Sequence, residues 1–451
     1  VTRRIPWPFA LAFALMACSA TLYATRKTPR LPRASHATHP GPTSRDVGTF
    51  DGARDELVAR TENAEMLAAS SPDSFNRHAE AAGYRLDYGQ LTGDCEGYLA
   101  AERHLAAAFS AVDRRGVPSS RTGTGPFLLK AQIDYTLHRF DRTLGDLEAP
   151  ERDAIATHDD ALLAEVKALR GSATFARGDY DDGLALLREA ERLDKNPSHG
   201  QRLALALAKV GEDDEALARL ERTTSTTNRG KAWNALQRAL VDLERGRRVE
   251  GRKKLEAAVA LFPGFWLVEE HLAELCADEG RTEVAKAAYA RLIERTGDPE
   301  FMDALARLVE VESPDEAKRL VAKSGSIYED RLARLPEASY GHALEHMLRV
   351  EKDPARAVSL GEKNRDLRPN GEARTRLAQA YLRAGRVPDA KREIEKVLAS
   401  RWKSGETYAT AALVFEAAHD TNAAHLAEAK AGASSPFAIE SVAWLRASLP
   451  R

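Results

Sequence analysis

The chain has 451 residues, more than one hydrophobic core ordinarily serves, so its size allows several domains or a growing repeat array. Hydrophobic residues make up 43% and charged residues 30%, which excludes global disorder. The formal net charge of -2, with the signs well mixed, excludes a general nucleic-acid groove, because displacing counterions needs a basic excess. Aromatics are only 6% while Ala and Leu dominate many segments, which suits closely packed helices better than strands. Cysteine occurs three times, at Cys18, Cys95 and Cys276, too sparsely for a disulfide scaffold.

Taken in chain order, the first segment reads as an address. Arg3 and Arg4 precede an uncharged run from Ile5 to Ala17, the order of a secretory signal. The run is shorter than the roughly 20 apolar residues a membrane span needs. Leu15-Met16-Ala17-Cys18 resembles a bacterial lipobox, with Met16 a less usual residue at its place. That resemblance implies acyl chains such as palmitate on Cys18, enough for stable anchoring, and Ser19 after it implies an outer-membrane address. Ordinary cleavage near Ala20 or Ala24, or an uncleaved anchor, are the other readings. Residues 19–50 carry Pro29, Pro32, Pro40 and Pro42 among small polar and basic residues, the composition of a flexible tether. His36 and His39 within it are read as part of that tether.

From about residue 51 a helical pattern begins, divergent over 51–120 and regular over 121–433. Gly211 to Ala216, Gly280 to Ala285 and Gly385 to Ala390 share a Gly-x-x-x-x-Ala spacing. Variants start at His138, Gly178, Gly246, Glu312, Lys352 and His419. The second members form the ladder 143, 183, 216, 251, 285, 317, 357, 390, 424. Six of its eight steps lie within two residues of 34, which marks a repeat of helix pairs. The two steps of 40 predict insertions or extended helices at 150–162 and 323–336. Within these, Pro150 to Asp160 would cap a longer first helix, and Lys323 to Tyr328 would be a loop or slipped helix end. Residues 434–451, with Pro436, Ile439, Val442, Trp444 and Leu445, read as a short capping helix.

These residues resemble the tetratricopeptide repeat (TPR) family. Leu377-Ala378, Tyr381, Gly385, Ala390 and Ile394 fit one unit. Leu272-Ala273, Gly280, Ala285 and Tyr289 fit a second, and Leu203-Ala204, Gly211, Ala216 and Leu220 a third. Pro263 and Pro369 hold the closing position. Arg170 and Arg238 replace the usual Leu, and Gly183 and Gly251 the usual Ala. The resemblance implies an all-α, right-handed superhelical solenoid of TPR-like helical hairpins. At a separation of about five hairpins, Cys95 and Cys276 are not expected to bridge, and Cys276 reads as a packed small hydrophobe.

The family's inward-facing positions, projected onto this chain, give a partner groove of Gln132, Tyr135, Phe175, Gln201, Lys209, Trp233, Glu270, Glu274, His342, His346, Thr375, Gln379 and Arg383. Mixed in sign and partly aromatic, the set suits a protein or peptide partner rather than nucleic acid. The sequence contains no Gly-x-Gly-x-x-Gly, phosphate loop, Gly-x-Ser-x-Gly or paired-Cys metal spacing, so neither an enzyme nor a cofactor is expected. One motif competes with that reading. His342-Ala-Leu-Glu345-His346 has the His-x-x-Glu-His form of inverted zinc peptidases, with both histidines on one helix face and a carboxylate between them. Leu344 and Ala357 keep the segment in repeat register, and no third ligand is identifiable. The expectation is therefore a non-enzymatic scaffold of the bacterial cell envelope, anchored at the outer membrane or else periplasmic or secreted. A zinc-dependent hydrolase and a spacer without a dedicated ligand are the alternatives.

Overall fold

The computed structural model describes residues 48–114 and 125–448; Cys18, most of the tether with His36 and His39, and residues 449–451 lie outside them. Every regular element among the described residues is helical. Three helices lead: α1 (Phe50–Ser70), α2 (Phe75–Thr92) and α3 (Cys95–Asp113). Pairs follow. α4 (Phe127–Thr136) meets α5 (Phe140–Asp146), with α6 (Glu148–Thr157) appended. Next come α7 (Asp160–Ala176) with α8 (Tyr180–Leu193), α9 (Pro197–Lys209) with α10 (Asp213–Arg222), and α11 (Asn228–Glu244) with α12 (Arg248–Leu261). Then α13 (Trp266–Asp278) pairs with α14 (Thr282–Thr296), and α15 (Pro299–Val309) with α16 (Pro314–Arg334). α17 (Pro336–His346) runs into a π-helical turn at Met347–Glu351 before α18 (Pro354–Leu367). The last pairs are α19 (Gly371–Arg383) with α20 (Val387–Leu398) and α21 (Gly405–Ala417) with α22 (Thr421–Ser434). Consecutive helices pack on one another throughout, giving an all-α stack of helical hairpins.

The ladder read from the sequence coincides with the turns. Gly178, Gly211, Gly246, Gly280 and Gly385 are left-handed, with φ between 73° and 91°, and His138, Lys352 and His419 take the same region with φ of 58–62°. There the chain reverses and returns its amides to the last carbonyls of the first helix. Arg281 N–H donates to the Cys276 carbonyl at 2.8 Å, and Arg386 N–H to Tyr381 at 2.8 Å. Glu312 is the exception: that turn closes through Ser313 N–H to the Val309 carbonyl at 2.7 Å. At the helix crossings Ala216, Ala285, Ala357 and Ala390 are fully buried. The two departures to glycine have a steric reason, since a Cβ on Gly183 would stand 2.8 Å from Phe175 Cβ and one on Gly251 2.5 Å from Leu243 Cδ2.

Both 40-residue steps are helical, which corrects two local expectations. Residues 148–157 form a helix of their own rather than a cap, ended by His158 at φ 54° and followed by Asp159, whose side chain caps α7. Lys323 to Tyr328 lies inside the 21-residue α16, not in a loop. Ser324 there is fully buried; its hydroxyl donates to Asp303 Oδ1 at 2.5 Å, and that tertiary bond holds a segment whose local composition favours a break. The capping segment splits into α23 (Ala438–Ser441) and α24 (Ala443–Ser448).

A second finding concerns the axis of the stack. Contacts recur between residues roughly five to six repeat units apart, so successive turns of the coil touch. Asn370 Nδ2 donates to the Ala176 carbonyl at 3.0 Å, and Gly371 N–H to the Tyr180 hydroxyl at 2.7 Å. Lys403 N–H reaches the Lys209 carbonyl at 2.9 Å, and the Arg248 guanidinium lies 3.5 Å over the Phe437 ring. Near the other end Trp266 Nε1 donates to the Leu91 carbonyl at 2.9 Å, and Phe50 N–H to the Pro263 carbonyl at 2.9 Å. The coil is closed along this seam, and the surface expected to be an open groove faces other protein. Cys95 and Cys276 are free thiols, the latter buried in the core as expected.

Candidate functional site

Pro336 at its first turn starts α17 and sets the two histidines of the His-x-x-Glu-His segment against α15. Each meets a different carboxylate there. His342 Nδ1 contacts Glu300 Oε1, and His346 Nδ1 lies 2.8 Å from Asp303 Oδ2. The π-helical turn brings Glu351 Oε1 to 3.3 Å from His346 Nε2, and Gly325 leaves room for both, since a Cβ there would stand 2.8 Å from that carboxylate oxygen. The Tyr328 ring centre is 4.8 Å from that of His346. Burial opposes charge on the His346 ring, but Asp303, helped by Glu351, holds its pKa above the ordinary histidine value. Glu345, the candidate base, is tied to Arg376 Nε at 2.7 Å. The motif's three polar groups are thus divided among separate helix–helix ion pairs. Among the described residues no group of three or more His, Cys, Asp or Glu side chains is placed to hold a metal ion. This geometry argues against the hydrolase alternative.

Cavities that bear on the expected site residues open along the axis. One of about 560 Å³ lies beside this segment, lined by Glu270, Glu274, Glu300, Asp303, His346 and Arg349 over Tyr289, Phe301 and Tyr328. Burial, with the neighbouring Glu274 second, holds the Glu270 carboxyl well above the ordinary range. His271 Nδ1 sits 2.9 Å from Glu274 Oε2. A second cavity, of about 640 Å³, is walled mainly by Tyr135, Phe175, Leu187, Leu205, Leu240 and Val241, with Arg202, Lys209, Gln237 and Glu244. A third, of about 750 Å³, shares Lys209 and Glu244 with the second and opens between coil turns at Glu372, Arg376, Trp402 and Phe437. The Lys209 ammonium lies 5.4 Å from the Trp402 ring centre.

Eleven of the thirteen expected groove residues are under one-tenth exposed, from Gln379 at 0% to Lys209 at 8%, so they are unavailable as a broad open surface in this closed coil. The remaining two, His342 and Arg383, are half-buried. Tyr135, Phe175 and Lys209 line the second cavity, Lys209 and Thr375 the third, and Glu270, Glu274 and His346 the first. The others serve packing. Gln132 donates to Glu165 Oε1 at 2.9 Å, Gln379 to Thr410 Oγ1 at 3.0 Å, and Arg383 to the Leu348 carbonyl. Trp233 belongs to the core shared by α11 to α15, and Gln201 is buried on α9. Sequence reasoning passed over Arg202 and Gln237. Arg202 stands seven residues before Lys209, and Gln237 seven before Glu244, so a two-turn helical spacing carried the signal.

No family model matches the sequence, and no curated protein does. Among solved structures, yeast Tom70 is similar at 16% identity and a TM-score of 0.41, over 84% of this chain and 87% of that one. Cut9–Hcn1 of the APC/C is similar at 15% and 0.36, over 88% and 94%. The C-terminal part of a TPR repeat-containing protein from Cytophaga hutchinsonii is similar at 13% and 0.33, over 55% and 99%. The hairpin architecture stands on the packing described above, independently of these likenesses.

Proposed function

We propose that this protein is a non-enzymatic scaffold of the bacterial cell envelope that holds a protein or peptide partner. The observation that carries the reading is the hairpin stack itself, whose axial side chains are polar and aromatic and whose tempting catalytic motif is spent on helix–helix ion pairs. The aromatic lining by Tyr135, Phe175 and Trp402 speaks against a featureless spacer. With most axial residues covered, half-buried His342 and Arg383 are the least covered of the expected groove residues. The lipobox-like Leu15 to Cys18 and the proline-rich tether support attachment to a membrane, in the outer-membrane sense that Ser19 implies.

Photo-crosslinking side chains installed at 342, 383 and, as an outer control, Val311, which is 90% exposed, test this in the full chain in cells. One protein crosslinked from 342 and 383 but not from 311 is the expected result. Equal labelling from all three sites, or none, removes the partner from the reading and leaves the spacer. Mass spectrometry of the mature N-terminus tests the anchor. An acylated Cys18 is expected, and a start near Ala20 or Ala24 refutes it.

A further inference from the structure

We propose that the cavity between α7, α9 and α11 is a binding site for a small organic anion with an apolar body, such as a medium-chain carboxylate. This goes beyond the scaffold reading and does not depend on it. Most of its wall is apolar, with a few polar groups converging on it, the character of a small-molecule site. Two cations enter it from one face of α9, Arg202 and Lys209, two helical turns apart. They are 4% and 8% exposed. Among the described residues, neither forms an ion pair with a carboxylate within 4.0 Å. Arg202 reaches only the Ser172 hydroxyl, at 3.3 Å, and the face of Tyr135; its Nε has no partner. Opposite, on α11, Gln237 is 1% exposed, and both its amide nitrogen and its amide oxygen lack a hydrogen-bond partner.

Buried cations without an ion pair and a buried amide without hydrogen bonds are costly, and proteins ordinarily satisfy them. Glu244 is the carboxyl that lines this cavity. It faces Lys209 from beyond ion-pair distance, as does Glu372 of the adjoining cavity, and burial raises the Glu244 pKa. An anionic head answers Arg202 and Lys209 and accepts from the Gln237 amide, while an alkyl or aromatic body covers Leu205, Leu240 and Val241. A neutral apolar guest fits the walls but leaves Arg202 and the Gln237 amide unanswered. A bare inorganic anion does the reverse. The chemistry therefore selects a molecule carrying both parts.

Isothermal titration of the full-length protein with decanoate, decan-1-ol and acetate separates these cases. Decanoate is expected to bind saturably, one per chain. Decan-1-ol is expected to bind about tenfold or more weakly than decanoate, and acetate to give no saturable heat. Arg202→Met and Lys209→Met keep the aliphatic stems and remove the charges; each is expected to weaken decanoate about tenfold, with the helical circular-dichroism signal retained. Ala206→Phe, which fills the cavity with both cations in place, is expected to abolish binding. Equal affinity for decanoate and decan-1-ol overturns the proposal. So does undiminished binding in either charge variant, or no saturable binding of decanoate by the natural chain. None of these results moves the crosslinking outcome at 342 and 383.

Discussion

Around α17 the buried His346 ring has Asp303 at 2.8 Å and Glu351 at 3.3 Å, and Asp303 is itself held by the Ser324 hydroxyl at 2.5 Å. On α9, Arg202 and Lys209 are buried almost as deeply, with no carboxylate in ion-pair reach among the described residues. The two regions occupy equivalent places in the repeat, each on the first helix of a hairpin and facing the axis. The difference teaches what axial polar residues do here. Where acidic side chains of the preceding hairpin face them, they become cross-braces between hairpins. Where the facing helix offers Gln237, Leu240 and Val241, with Glu244 beyond ion-pair distance, they form no such brace.

Removing one side chain in each region separates the two roles. Asp303→Ala leaves the buried His346 ring with Glu351 alone and the Ser324 hydroxyl without its carboxylate, and is expected to cost about 1–3 kcal/mol in urea unfolding. Arg202→Met removes a charge that has no ion pair, and is expected to cost less than about 1 kcal/mol in the ligand-free protein. Equal losses would erase the distinction. A second pair probes the turns that flank the regions. Gly246→Ala combines a left-handed backbone, φ 74°, with a Cβ placed 2.5 Å from Pro436 Cδ across the seam. Gly280→Ala meets the same kind of backbone, φ 76°, with nothing within 4 Å. Left-handed strain of about 1–2 kcal/mol is expected for Gly280→Ala, and about 1–3 kcal/mol more for Gly246→Ala from overpacking. The difference in unfolding free energy between the two variants reads the strength of the seam.

The smallest effect is in pH dependence, where the two regions should respond with opposite signs. The pKa of His346 is raised in the folded state, so its contribution is complete below the unfolded value of about 6.5 and is lost as pH rises through the folded one. On α9, burial, with the Arg202 charge second, pushes His199 down to about 4. The unfolded chain then takes up the proton first, and stability falls as pH drops from about 6.5 toward 4. Urea midpoints from pH 4 to 8 should therefore change less above pH 6.5 in His346→Gln, and less below it in His199→Gln, than in the natural chain. The same profile in both variants would show that the two histidines do not differ in this way.

Much of the fold was legible because the repeat is written in residues with local physical roles. A left-handed turn favours glycine, and a close crossing needs alanine or glycine, so period and register could be read from Gly211, Ala216, Gly280 and Ala285 alone. His138, Lys352 and His419 were found by register although their residue types gave no hint of φ near 60°. The 323–328 stretch was misread because Ser-Gly-Ser is a local break signal, overruled by burial against Asp303 and His346. The site was legible in part. Helical projection found Lys209, Tyr135 and Phe175, but it chose Gln201 where Arg202 lines the cavity, and Trp233 where Gln237 does. A rotation of one residue, about 100°, separates Gln201 from Arg202, and one turn along the same face separates Trp233 from Gln237; periodicity alone resolves neither.

By itself the sequence determined the helices, their pairing and the hairpin repeat, since each rests on contacts within some forty residues of chain. It also carried the expectations for Cys18 and the tether, most of which lie outside the described residues. Only the tertiary structure decided that the coil closes on itself, because Asn370 finds Ala176 and Lys403 finds Lys209 through small rotations summed over five or six hairpins. That closure turns an expected open groove into enclosed cavities. Pairing then settles which axial charges brace the stack, as at Asp303 and His346, and which, as at Arg202 and Lys209, face a largely apolar chamber with no carboxylate in ion-pair reach among the described residues.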